Sequence, residues 1–210
     1  MVADVRGQAR TRLARTAVTE AARALFLERG YAGTTIEAIS DRSDVPPATV
    51  YRLFSSKLGI LKALLDVAIA GDDEDIPLTE RPQARALLDA TDLDPADRLR
   101  GFAGITSGIM PRAEPVYRIL VSAADSDPDA AALLAEQRQH RDRGQEQIAR
   151  ALAGAGTLRP GLAERDAADI IHALMSPEVY RLLVADRGWP PERYQHWLAE
   201  SLISQLLASS

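Results

Sequence analysis

The sequence predicts an all-α protein. Apolar residues recur at helical spacing along most of its 210 residues, and β-branched runs bounded by hairpin signals such as Asn-Gly are missing. Helix-start and helix-stop residues also punctuate the chain. Apolar residues at 46% and charged residues at 26% are the proportions of a soluble globular chain, which excludes a disordered or fibrous one. Cysteine is absent, which removes disulfides, thiolate metal sites and a cysteine nucleophile and suits a reducing cytoplasm.

The first helix is expected over Thr11 to Arg29, with Ala17, Ala21, Ala24, Leu25 and Leu27 as its buried stripe and Arg29-Gly30 as its stop. Thr34-Thr35-Ile36-Glu37 reads as a capping box, with Thr34 capping a short second helix that ends near Ser43. Asp44 tolerates the left-handed region, and Pro46-Pro47 then blocks continuation, while Pro47 suits the first turn of a third helix to Phe54. Ser55-Ser56 caps a fourth helix from Lys57 to about Ala70.

The acidic, proline-ended segment at 71–78 is the expected boundary between a domain at 1–70 and one at 79–210. Asp94-Pro95 and Asp127-Pro128 each pair a cap with a first-turn proline, so helices should begin at both. Two further helices are expected at 163–185 and 191–207, giving about nine in all.

The formal net charge of -5 conceals an asymmetry. Residues 1 to 62 carry ten Lys or Arg against six Asp or Glu, so that part suits phosphate and the acidic remainder does not. The opening residues hold four arginines (Arg6, Arg10, Arg12 and Arg15) and no apolar run of signal-peptide length, so a cytoplasmic chain is expected. Those arginines either follow phosphate or serve solubility. The longest apolar stretches fall short of the roughly 20 residues that cross a bilayer, so no membrane partner is expected.

Helix, tight turn and short helix over residues 34 to 57 is the plan of a helix-turn-helix, whose second helix enters the major groove of double-stranded DNA. Ile36, Ile39, Val45, Val50 and Phe54 can pack its two helices together. That leaves Pro46, Pro47, Thr49, Arg52 and Tyr51 toward the outside as candidate contacts.

Thr34-Thr35-Ile36-x-x-Ile39, Val45-x-x-Ala48-Thr49-Val50-Tyr51-x-x-Phe54-x-Ser56-Lys57-x-x-x-Leu61 resembles the tetracycline-repressor (TetR) family across residues 14 to 65. The resemblance implies a homodimer with an N-terminal helix-turn-helix domain and a C-terminal helical domain that binds a small effector. The dimer would form through the helices at about 163–185 and 191–207. It implies a repressor released from a palindromic operator by its ligand. Thr35, Tyr51 and Lys57 match positions that hold phosphates, and Pro46, Pro47, Thr49 and Arg52 match positions that meet base edges. Arginine can bridge O6 and N7 of guanine, which makes Arg52 the leading specificity residue. Asp44 stands in place of the family's turn glycine, and Leu58 in place of its usual acidic residue.

A ligand pocket needs an apolar lining with a few polar groups, and Phe102, Ile105, Met110, Tyr117, His140, His172 and Met175 are the candidates. Gly101, Gly104, Gly108, Pro111 and Pro115 suggest loosened helices around a cavity. No cofactor or metal is expected, because His140, His172 and His196 are scattered without a ligand spacing. An enzyme has little support, since HExxH, GxSxG and phosphate-loop motifs are all missing. A helical interaction module without DNA binding stays open, on the overall acidity and the Pro46-Pro47 pair.

Overall fold

Val18, Ala21, Ala22, Leu25 and Phe26 are spaced three and four apart, and they form the buried line of helix α1, Val2–Arg29. Ala21 and Leu25 are buried as expected, Ala17 and Ala24 are half-buried, and Val18, Ala22 and Phe26 complete the line in place of Leu27. Leu27 is 43% exposed, because the line that turns inward is the one carrying Phe26, the bulkiest apolar side chain of the helix. Gly30, at φ 73°, ends the helix in the left-handed region.

The chain continues through α2 (Ile36–Ser43), α3 (Pro47–Phe54), α4 (Lys57–Ala70), α5 (Pro82–Asp89), α6 (Pro95–Ala124) and α7 (Pro128–Gly154). Then come α8 (Glu164–Leu174), the single turn α9 (Pro177–Tyr180) with a π-helical turn at Arg181–Ala185, and α10 (Pro191–Leu206). The computed structural model describes residues 2–71, 80–90 and 92–208, with side chains from residue 8 onward. Beyond Gly71 the expected linker lies outside the described residues, as does the side chain of Arg6. Among the described residues the chain is all-α, with one isolated bridge between Leu158 and Leu207. No helix among them is long and apolar enough to cross a membrane.

The Asp-Pro starts of α6 and α7 stand where the sequence puts them. Asp94 accepts from the Ala96 amide at 2.8 Å, and Asp127 from the amides of Asp129 and Ala130 at 3.0 and 3.3 Å. α6 runs unbroken through Pro111 and Pro115. The helix expected over 163–185 is interrupted, because Pro177 has no N–H to donate back into the first part. Ser176 instead caps a new turn by accepting from the Val179 amide at 3.1 Å.

The chain divides into two compact units, Met1–Ala68 with Pro115–Leu134, and Ile69–Glu114 with Ala135–Ser210. The second is built on Leu99, Phe102, Ile148, Leu152, Ile171 and Leu198, with Tyr180 and Tyr194 edge to face at 5.0 Å.

Candidate nucleic-acid interface and cavity

The cap of α2 is Thr35, whose hydroxyl accepts from the Ala38 amide at 3.2 Å. Thr34 is not the cap. It is fully buried and donates to the Gly30 carbonyl at 2.8 Å, so the expected capping box with Glu37 is absent. The buried Thr34 closes the link between α1 and α2 and leaves Thr35 exposed at the start of α2.

Asp44 takes the left-handed conformation, φ 56°, as the C-cap of α2. Ser40 locks the turn by donating to the Val45 carbonyl at 2.7 Å, while Val45 and Val50 are buried on its inner side. Arg42 ties α2 to α1 through both carboxylate oxygens of Glu28 at 2.7 and 2.8 Å, and this hydrogen bond holds the Glu28 carboxyl below the usual range.

With the inner faces committed, α3 presents Pro46, Pro47 and Arg52 exposed, Tyr51 at 48% exposure and Thr49 half-buried. Together with Thr35 they make one outward group on two short helices. Arg52 makes no hydrogen bond among the described residues, whereas Phe54 turns inward.

Two basic residues make contacts within the fold that the sequence did not show. Arg15 donates to the Leu53 carbonyl at 2.9 Å and lies over the Phe54 ring, so it closes the end of α3. Lys57 donates to the carbonyls of Tyr31 and Thr34 at 2.7 and 2.9 Å, with its ammonium over the Tyr31 ring. Burial pushes its pKa down, and Asp127 partly offsets that. The sequence did not single out Gly59: a Cβ there would lie 2.0 Å from the Phe54 carbonyl oxygen, so glycine lets α4 start directly beneath the end of α3.

In the second unit an open cavity of about 830 Å³ lies beside α5 and α6. Ile69, Leu87, Ile105 and Ile109 supply apolar wall, Gly104 and Gly108 supply space, and Arg81 and Arg112 are its charged lining among the described residues. α5 is seated by the buried Arg98, which donates to the Leu87 and Leu88 carbonyls at 3.0 Å each. It also sits against Gly101, where a Cβ would come within 2.7 Å of Leu87.

Of the seven expected ligand residues, the cavity brings in Ile105. Phe102 and Met110 belong to the core of the second unit, and Met175 packs against it. Tyr117 is buried in the first unit, and His140 is exposed on α7, 4.0 Å from Glu136. The Arg141 guanidinium donates to His172 Nε2 at 3.3 Å, which leaves Nδ1 as the donor facing both Gln145 Oε1 and Asp142 Oδ1 at 2.9 Å. No cluster of metal-ligating side chains occurs among the described residues.

Residues 18–64 match the sequence model described as "Bacterial regulatory proteins, tetR family". A stretch of 48 residues is 38% identical to the uncharacterized HTH-type transcriptional regulator YvkB of Bacillus subtilis, spanning 23% of this chain and 25% of that one. The whole fold is similar to NalD, the secondary repressor of the MexAB-OprM multidrug efflux pump in Pseudomonas aeruginosa. The TM-score is 0.74 at 23% identity, over 95% of this chain and 100% of that one. It is also similar to SmeT in complex with triclosan, with a TM-score of 0.71 at 18% identity, over 94% of this chain and 93% of that one.

Proposed function

We propose, on the match of residues 18–64 to the tetR-family sequence model, that the chain is a TetR-type regulator that represses transcription from a palindromic operator and leaves it when a small molecule binds. The observation that carries the reading is that Thr35, Pro46, Pro47, Tyr51 and Arg52 are exposed, with Thr49 half-buried, on two helices whose inner faces are buried. Thr35 and Tyr51 hold phosphate oxygens through their hydroxyls, which sets the register of α3 in the major groove. Arg52 reads guanine, and the proline pair makes apolar contact with thymine methyl. Lys57 enters as a positioning residue, because two of its three donors already hold the backbone that leads to Thr35.

A second copy of the chain completes the reader. α8 and α10 carry Ile170, Leu174 and Trp197 beside Ser201 and Ser204 in a shallow groove, and we assign that face to a homodimer. A two-fold dimer sets its recognition helices at half-sites about 34 to 36 Å apart. NalD and SmeT are repressors of multidrug efflux pumps, and the repressor reading is carried to this chain from that likeness of fold. A ligand releases the operator only if it binds the off-register dimer more tightly than the bound one.

The test is DNA binding measured against salt. Phosphate-held binding gives log K falling linearly with log salt, with a slope of about -0.9 per phosphate neutralised. A flat response from folded protein contradicts the reading and favours a helical interaction module.

A further inference from the structure

Resting on the effector reading above, we propose that the cavity beside α5 and α6 binds an amphipathic anion, a carboxylate or sulfonate carried on an apolar body. Its described walls sort by chemistry. Ile69, Leu87, Ile105 and Ile109 offer an apolar surface, and the charged side chains that line it, Arg81 and Arg112, are both cationic. A volume of about 830 Å³ suits one drug-sized molecule.

Arg112 is exposed, whereas Arg81 is half-buried with its Nε covered, so the cavity's solvent-facing cation is Arg112 while the isoleucines are partly covered. That polarity matches a molecule whose charged end stays hydrated as its body is buried. Guanidinium holds a carboxylate through paired, charge-assisted hydrogen bonds, and a neutral alcohol of the same shape forms only weaker ones. Both arginines also have further contacts, so the anion is added to or exchanged with those rather than filling a void.

The space is built into α6. Gly104, Ile105, Gly108, Ile109 and Arg112 fall at four-residue intervals on one side of the helix, and a Cβ at Gly108 meets nothing within 4 Å. A leucine at 108 therefore enters the cavity without disturbing the fold, and it improves helix propensity. Arg98 and Gly101 hold α5 in place as the opposite wall.

The full chain is titrated with the fluorescent pair 1-pyrenebutyrate and 1-pyrenebutanol, which share a body and differ in charge. The acid is expected to bind about tenfold tighter than the alcohol, a preference within the reach of charge-assisted hydrogen bonds. Replacing both arginines by methionine (Arg81→Met with Arg112→Met) should bring the ratio close to one. Gly108→Leu should weaken both probes. Equal binding of the two probes, binding of neither, a preference that survives in the double variant, or indifference to Gly108→Leu each overturns the proposal. Operator affinity is read separately. Selective binding of the acid with operator affinity unmoved upholds the anion site and removes its role in operator release.

Discussion

The ammonium nitrogen of Lys57 lies 2.7 Å from the Tyr31 carbonyl oxygen and 4.1 Å from the centre of the Tyr31 ring. One side chain at the start of α4 thereby closes the link between α1 and α2 through both the backbone and the face of an aromatic ring. Tyr31 in turn donates to Asp127, the cap of α7, at 3.3 Å.

Lys57→Met should lower stability by about 1 to 3 kcal/mol, since two backbone carbonyls lose a charged donor. The salt slope of DNA binding should stay unchanged, because the lysine acts by positioning. Denaturant titration reads the first and salt titration the second. A slope smaller by about one would mean that Lys57 neutralises a phosphate directly.

Burial, reinforced by the charge of Asp127, pushes the Tyr31 phenol up to about 12. Its ordinary value is about 10, so between pH 10 and 12 the unfolded chain releases a proton that the folded protein keeps. Stability from this source is complete below pH 10 and is lost as pH rises toward 12. Tyr31→Phe should cost about 1 kcal/mol at pH 9, for the lost hydrogen bond, and should make the decline from pH 9 to 11 shallower. The contrast with wild type leaves aside Lys57, whose lowered pKa works in the opposite direction, and Tyr180, which burial also raises. Urea midpoints at the two pH values decide it, and parallel declines would contradict the assignment.

Gly59→Ala should destabilise the first unit by about 1 to 3 kcal/mol, the usual cost of overpacking, because its methyl meets the Phe54 carbonyl. DNA affinity should fall with it, since relief requires the end of α3 to move. An alanine variant with wild-type melting temperature and affinity would contradict this.

Arg98→Met should cost about 1.5 to 3 kcal/mol, as two carbonyls in the last turn of α5 lose a charged partner. Calorimetry checks the stability. Binding of 1-pyrenebutyrate should weaken as well, because α5 forms a wall of the cavity.

Much of this was legible in the sequence where a single residue type has one physical use. Asp44 at φ 56° and the proline starts at Pro47, Pro95 and Pro128 are of that kind. Thr34 and Thr35 were not separable, since both suit a cap and only the tertiary fold shows which is buried. The contacts of Arg15, which reads as following phosphate or serving solubility, and of Lys57, which matches a phosphate position, were not legible because their carbonyl partners, Leu53, Tyr31 and Thr34, lie far along the chain. The cavity was hinted at by the glycines of α6. Aromatic and histidine residues did not point to the cavity, whose wall on α6 is the four-residue stripe that ends at Arg112.

The most direct test of the account is selection of bound sequences from a random DNA pool, with Arg52→Ala run beside wild type at the same salt. Wild type is expected to select a palindrome whose half-sites lie one helical turn apart, relaxed in the variant at one symmetric base pair with a loss there of about 1 to 3 kcal/mol. No enriched sequence from folded wild-type protein, or a variant that selects the same palindrome with unchanged stringency, would contradict it.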